Sequence, residues 1–249
     1  MKRIIFLWIL LISVSGVAQN EALFEQGKNL YQAEKYQQAL DKWSSILQSE
    51  QHSAALYFNI ANAHYKLNNI GPSIYYYEKA LQLDPNDRDI KNNLAFAENA
   101  RIDAIEPLPQ TIFKRWYKRI SGILTFDGWA MAATVFSILF VTLFLLYYFS
   151  TSEQKKRLLF AAAMGCVVVL LFSLTLAFKT YNDFLKDRPA IIFAESTEVK
   201  SEPTLGSEVA FILHEGTKVQ ILEKDNQWCR IELADGKDGW LPTSELKEL

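Results

Sequence analysis

The chain contains 249 residues, of which 50% are hydrophobic, and its 26 Lys and Arg against 28 Asp and Glu give a net charge of −2. The positive charges cluster beside two long apolar runs and the two polar segments are acidic, so the chain lacks the basic face typical of nucleic-acid-binding proteins. Its two cysteines, Cys166 and Cys229, are too few for a disulfide framework or a cysteine-based zinc site.

Residues 1–19 have the pattern of a secretory signal peptide. Lys2 and Arg3 form a basic segment, Ile4–Ile12 form an apolar one, and small residues then lead to a cleavage site after Ala18. The apolar run is too short to cross a membrane comfortably, which favours a cleaved signal over an uncleaved anchor. In either case we expect the segment that follows to be exported.

Residues 20–106 repeat with a period of 34 residues, the length of a tetratricopeptide repeat. Small residues recur at two positions and aromatic residues at two others: Gly27 and Ala61, Ala39 and Ser73, Tyr31 and Tyr65, Trp43 and Tyr77. The segment resembles two tetratricopeptide repeats, followed by a capping helix at Asp87–Arg101 with Ala95 at the small position.

The resemblance implies that the first helix of each repeat lines a concave face that binds an extended peptide or a helix of a partner protein. Packing between neighbouring repeats is the alternative role for each aromatic residue. We call the predicted partner-binding set the concave-face residues: Phe24, Lys28, Tyr31, Phe58, Asn59, Asn62, Tyr65, Lys66, Asn93 and Phe96.

Residues 107–128 form a predicted interfacial linker. Within it, Ile112–Ile120 places apolar residues at helical spacing with Lys and Arg between them. This pattern predicts a short helix in the membrane interface, with its aromatic side chains at headgroup depth and its cations on lipid phosphates.

Two uncharged runs, residues 129–149 and 158–178, are each long enough to cross a hydrocarbon core of about 30 Å as a helix. The loop between them, residues 150–157, is so short that we expect an antiparallel transmembrane hairpin. We expect close packing through small residues, among them Ala132, Ala133, Ser137, Ala161–Ala163 and Gly165. Neither run contains the ionisable residue that a transport path would need.

The hairpin places the flanking domains on the same side of the membrane, and the signal peptide predicts that this side is the periplasm. The loop, residues 150–157, would then be cytoplasmic and the protein would be a two-pass protein of the inner membrane. Simple counting of Lys and Arg predicts the opposite orientation, because more of them lie beside the two domains than in the loop. We favour the signal peptide, because long exported segments translocate largely regardless of charge.

Residues 190–249 contain short alternating runs separated by Asp-Gly and similar turns, which predicts a small barrel of five strands. The segment resembles bacterial SH3-like domains. Three residues carry the most specific part of that resemblance: Trp228, Gly239 and Trp240. The fold class expected for the whole chain is therefore multidomain: α-helical repeats, a two-helix transmembrane hairpin and a C-terminal β-barrel.

No pattern in the chain predicts catalysis. His52, His64 and His214 are not at metal-ligand spacing, there is no glycine-rich phosphate loop, and Cys229 has no histidine nearby in sequence. We expect neither an enzyme, nor a cofactor, nor a metal site.

The order of signal peptide, two repeats with a cap, membrane hairpin and SH3-like barrel resembles the BatE family of the Bacteroides aerotolerance (Bat) group. This resemblance implies an inner-membrane protein that acts beside Bat proteins with von Willebrand A domains and a MoxR-type ATPase, in tolerance of oxygen and stress. It implies no catalytic residues.

Two functional hypotheses follow. In the first, the protein is a membrane-tethered scaffold whose repeats bind partner proteins, and the resemblance implies that these are other Bat-family membrane proteins. In the second, the barrel binds cell-wall glycan or peptide, and the protein is an envelope sensor or wall tether.

Overall fold

The computed structural model describes residues 19–249, so the predicted signal peptide lies almost entirely outside the described residues. The described chain divides into two compact units. One comprises the chain up to Pro107 together with Arg188–Leu249, and the other is Leu108–Asp187. The repeats and the barrel thus belong to one unit, although about 80 residues separate them in sequence.

Five helices form the repeat region: α1 (19–32), α2 (Tyr36–Gln48), α3 (Ala54–Lys66), α4 (Ile70–Leu83) and α5 (Arg88–Asn99). Local capping explains where two of them begin. The Ser53 side chain accepts a hydrogen bond from the Leu56 amide at the start of α3, and the Asp87 side chain accepts two at the start of α5. The multidomain fold class with helical repeats is confirmed.

The positions that repeat in sequence form the core of the helical region. Trp43 and Tyr77 are 0% and 1% exposed. A Cβ atom added to Gly27 would lie 2.3 Å from Nε1 of Trp43, so only glycine allows α1 to approach α2 this closely. Ala95 occupies the same repeat position in α5 but is exposed, because no second helix follows to cover it.

The second unit contains α6 (Ile112–Ser121), α7 (Phe126–Phe149) and α8 (Glu153–Lys186). Among the described residues, α7 and α8 are the two helices long and apolar enough to cross a membrane. Both extend beyond the apolar runs, and the 34-residue α8 continues well past residue 178. Most of their large apolar side chains are exposed, unlike those of a core helix in a soluble protein.

Small side chains line the contact between α7 and α8, but they are only partly those predicted. Ala133 and Ala163 are buried, together with Cys166, Ser173 and Ala177, which were not among the residues predicted to lie in this contact. The prediction for Gly165 was wrong, because nothing lies within 4 Å of a Cβ placed there. The buried residues of α8 are mostly three or seven positions apart, which places them on one side of the helix.

One antiparallel sheet of seven strands forms the C-terminal domain in the described chain: β1 (Pro189–Ile192), β2 (Ser196–Lys200), β3 (Val209–His214), β4 (Lys218–Asp225), β5 (Trp228–Glu232), β6 (Asp238–Pro242) and β7 (Leu246–Glu248). The strand order is β3-β2-β6-β5-β4-β1-β7. The predicted number of five strands was wrong. Strands β1 and β7, which pair with each other, are too short to show a clear alternating pattern.

Candidate functional site

The concave-face residues all lie on the first helix of a repeat or on the capping helix. Phe24, Lys28 and Tyr31 belong to α1, the five residues from Phe58 to Lys66 belong to α3, and Asn93 and Phe96 belong to α5. Their surroundings divide them into residues that hold the helices together and residues that face solvent.

Asn62 connects three helices through a single side-chain oxygen. Its Oδ1 accepts a hydrogen bond from the Tyr77 hydroxyl of α4 and another from Nδ2 of Asn93 on α5, the latter at 2.9 Å. Burial raises the pKa of Tyr77, so its hydroxyl stays protonated and donates. Asn62 and Asn93 therefore have structural roles that the sequence analysis did not predict.

Several aromatic members of the set also pack within the repeats. Phe58 packs against Tyr77 with ring centroids 6.0 Å apart, and Tyr31 lies 6.2 Å from Trp43. Lys28 forms an ion pair with Glu25 and lies over the Phe24 ring. These contacts agree with the packing alternative for part of the set.

Tyr65 and Phe96 are the aromatic members with the most exposed side chains, at 37% and 64%. Lys66 is also exposed, and Asn59 is half-buried with its Nδ2 bonded to the Ala55 carbonyl within the same helix. Exposed aromatic side chains such as those of Tyr65 and Phe96 can bind a partner protein through apolar contacts.

A pocket that the sequence did not predict opens between the start of α1 and the loop before α3. Its volume is about 310 Å³, near the lower limit of ligand sites. The lining combines apolar and polar side chains: Asn20, Glu21, Phe24, Ile46, Gln51, His52, Ser53, Ala55 and Leu56. Phe24 is the one concave-face residue in this lining.

The barrel is attached to the repeats by a hydrogen-bonded group that we call the Asp103 cluster: Asp103, His214 and Thr217. Asp103 Oδ2 accepts hydrogen bonds from the His214 amide and the Thr217 hydroxyl, both at 2.7 Å, and Oδ1 contacts His214 Nδ1 at 2.8 Å. Burial acts to raise the pKa of Asp103, but these hydrogen bonds outweigh it and lower the pKa. The ionised Asp103 carboxylate therefore stabilises the folded state fully above the unfolded-state pKa of Asp103. This stabilisation is lost as the pH falls through the lower, folded-state pKa of the same group.

Residues of α4 form further contacts that attach the barrel to the repeats. Ile191 of β1 is fully buried within the repeat core, near Ile74. The Gly71 amide donates to Glu215 at 3.1 Å, and Lys218 pairs with Glu78 at 2.6 Å. These attachment residues of the repeats belong to α4 and the segment after α5, so they do not include the concave-face residues.

A cation of the barrel lies over one aromatic ring from each domain at this interface. Lys247 of β7 lies 4.9 Å from the Tyr75 ring centroid and 5.6 Å from that of Phe193, and those two rings meet edge to face. Tyr76 stacks on His64 with ring centroids 5.6 Å apart. Burial, and secondly the charge of Lys247, lower the pKa of His64 to about 4.

We expect this low pKa to make the repeat–barrel unit less stable in acid. The folded state favours neutral His64, so the contribution of His64 to the free energy of unfolding is complete above pH 6.5. As the pH falls towards 4, the free energy of unfolding decreases by about 3 kcal/mol, because the unfolded chain binds a proton at His64 more readily. The measurement is the free energy of urea unfolding at pH 7 and pH 4 for the wild type and His64→Gln. The wild type should lose more stability than the variant between the two pH values, and equal losses would contradict the assignment.

The residues of the barrel signature have distinct roles. Gly239 is buried, and a Cβ there would lie 2.5 Å from Val199 Cγ1 and 2.9 Å from the Lys200 carbonyl oxygen, so β6 can cross β2 closely only with glycine at this position. Trp228 and Trp240 are half-buried, on β5 and β6. Both tryptophans thus keep part of their surface available to a ligand.

No group of three or more His, Cys, Asp or Glu in residues 19–249 is arranged to hold a metal ion. Cys229 is fully buried in the barrel core, as expected, and burial raises the pKa of its thiol. Such a cysteine is a packing residue, not an activated nucleophile.

Comparisons with known proteins agree with the two domain types. Residues 195–247 match the family model of the bacterial SH3 domain, and residues 54–87 match that of the tetratricopeptide repeat. No curated protein matches the chain. Among solved structures, an NlpC/P60 family protein from Bacillus cereus is 14% identical, with a TM-score of 0.22; the match covers 28% of this chain and 23% of that one, so it carries no functional argument.

Proposed function

We propose that the protein is a non-enzymatic, membrane-anchored scaffold whose repeats bind partner proteins. The observation that carries this proposal is the separation of two surfaces: the barrel is attached through α4 and Asp103, whereas Tyr65 and Phe96 are exposed on α3 and α5. The tetratricopeptide match supports protein binding by this region. An anchored pair of modules would also raise the local concentration of each ligand near the other.

We place the protein in the inner membrane as a two-pass protein, with the repeat–barrel unit in the periplasm. The support is the pattern of residues 1–19 together with the length and composition of α7 and α8. The Lys and Arg count argues for the reverse orientation, so this part of the proposal needs a direct test.

The partners we propose are other proteins of the Bat group, in particular membrane proteins with von Willebrand A domains. The support is the order of modules, which is that of the BatE family, together with the two domain matches. In this role the protein would hold its partners at the membrane during oxygen stress and other stresses.

We expect the double variant Tyr65→Ala/Phe96→Ala to lose partner binding while remaining folded. Exposed aromatic residues at the centre of an interface often contribute 2 kcal/mol or more, so affinity should fall by about thirtyfold or more. Phe58 is a poorer probe, because truncating it would remove its packing contact with Tyr77 and destabilise the repeats. The measurement is co-purification of Bat proteins with the full chain from solubilised membranes.

The control is Leu83→Ala, which removes an exposed apolar side chain from the end of α4. It should bind partners as the wild type does. Unchanged binding by Tyr65→Ala/Phe96→Ala would show that the partner uses another surface.

The second candidate function is cell-wall binding through the barrel, favoured by the bacterial SH3 match and by the accessible surface of Trp228 and Trp240. Co-sedimentation of the full chain with purified peptidoglycan distinguishes the two functions. Sedimentation that is lost in Trp240→Ala would favour the wall tether, whereas a chain that stays in solution would favour the scaffold.

A further inference from the structure

Helix α6 has two chemically distinct faces. At about 100° per residue, Lys114, Arg115, Lys118 and Arg119 occupy one arc of roughly 140°, and the apolar residues occupy the adjoining arc. Phe113 and Trp116 on the apolar arc are 86% and 68% exposed. A helix with such an exposed apolar face needs a surface to cover it.

Contacts with α7 and α8 fix the position of α6. The Tyr117 hydroxyl donates a hydrogen bond to Asp183 of α8, and Nζ of Lys179, also on α8, lies 4.1 Å from the Tyr117 ring centroid. At the other end of α6, Trp129 Nε1 of α7 donates to the Ser121 carbonyl at 3.1 Å. The helix is therefore attached to the ends of the two apolar helices, where a membrane interface would lie.

The four cations of α6 have no side-chain hydrogen bond or ion pair with any residue in the described part of the chain. In the repeat–barrel unit, by contrast, several surface cations pair with carboxylates, for example Lys218 with Glu78 and Arg230 with Asp238. The helix itself contains no acidic residue. Four unpaired cations on one arc leave a positive surface without a counter-charge from the protein.

A groove lies at the boundary between the two arcs. It has a volume of about 420 Å³ and is lined by Ile112, Arg115, Trp116 and Arg119. The two arginines are one helical turn apart, so both guanidinium groups can reach one phosphate, and the isoleucine and tryptophan can contact the adjoining glycerol and acyl chains. Arginine suits this role because its planar guanidinium forms paired hydrogen bonds with phosphate oxygens.

We propose that this α6 groove is a binding site for an anionic phospholipid. The observations that favour a lipid over a soluble anion are the apolar half of the lining and the attachment of α6 to two helices suited to lipid. The site would hold the chain between α5 and α7 at the membrane surface. The inference rests on membrane insertion of α7 and α8 but not on which protein the repeats bind.

The test uses the full chain in a neutral detergent and measures phosphatidylglycerol and phosphatidylcholine binding, with matched acyl chains, by native mass spectrometry. The wild type should bind phosphatidylglycerol more tightly than phosphatidylcholine. In Arg115→Gln/Arg119→Gln the phosphatidylglycerol affinity should fall about thirtyfold, since each cation near an anionic surface contributes roughly a fivefold factor. The control Lys155→Gln/Lys156→Gln removes the same charge from the hairpin loop and should bind as the wild type.

Equal binding of the two lipids by the wild type, or unchanged phosphatidylglycerol binding by the arginine variant, would overturn the proposal. Competition by free glycerol phosphate at the same concentration as the lipid would indicate a soluble-anion site instead. A protein that co-purifies with the wild type and is absent from the arginine variant would assign the groove to a protein partner. None of these outcomes alters the expected effect of Tyr65→Ala/Phe96→Ala on partner binding.

Discussion

Replacing Asp103 by alanine is expected to weaken the attachment of the barrel to the repeats by about 3 kcal/mol, since several hydrogen bonds to one carboxylate are lost together. Thr217 is 0% exposed, so its hydroxyl would lose its acceptor within a buried site. The measurement is hydrogen–deuterium exchange of the full chain, followed at the His214 amide. Exchange there should accelerate by about a hundredfold, as expected for 3 kcal/mol.

Asp41→Ala is a matched control, because Asp41 is an exposed carboxylate on α2. It should leave the His214 amide protected. If Asp103→Ala protected this amide as well as the wild type does, the Asp103 cluster would not hold the two domains together.

Replacing Trp43 by alanine is expected to destabilise the first repeat by about 4 kcal/mol, because the loss of a large buried aromatic residue leaves a cavity. The change also removes the hydrogen bond from Nε1 to the Phe24 carbonyl and the surface against which Gly27 packs. Hydrogen exchange should then increase throughout α1 and α2. Partner binding should weaken with it, since α1 carries Phe24, Lys28 and Tyr31.

Trp43→Phe provides the conservative comparison, since it keeps most of the apolar volume and removes the indole hydrogen bond. Its effect should be about 1 to 2 kcal/mol, mainly from the lost indole hydrogen bond and the smaller volume. An alanine variant no more destabilised than the phenylalanine variant would show that the indole does not fill the core as described.

The core of the repeats could be predicted from sequence because its signal is local. A period of 34 residues placed Trp43 and Tyr77 at equivalent positions, and both are buried. The same reasoning failed to separate structural from exposed members of the concave face. Asparagine is a common residue type on recognition surfaces, so Asn62 was predicted to bind a partner. Its hydrogen-bond partners Tyr77 and Asn93 lie 15 and 31 residues away in sequence, and no periodic pattern indicates such hydrogen bonds.

The attachment of the barrel could not be predicted because its contacts are long-range. Asp103 and His214 are 111 residues apart, and Glu78 and Lys218 are 140 residues apart. Asp103 follows a helix and Glu78 lies within one, and in the sequence neither differs from a charged residue that is exposed to solvent. Their role in attaching the barrel depends on how the surfaces of the two domains fit together. Neither hydrophobic periodicity nor turn composition can predict that fit.

The most direct test of the scaffold proposal is the side of the membrane on which the repeat–barrel unit lies, since proposed partners in the periplasm require it there. The measurement is the activity of alkaline phosphatase fused after Leu249 of the full chain, in parallel with a fusion in the loop at residues 150–157. We expect an active fusion after Leu249 and an inactive one in the loop. An inactive fusion after Leu249 with an active one in the loop would contradict it.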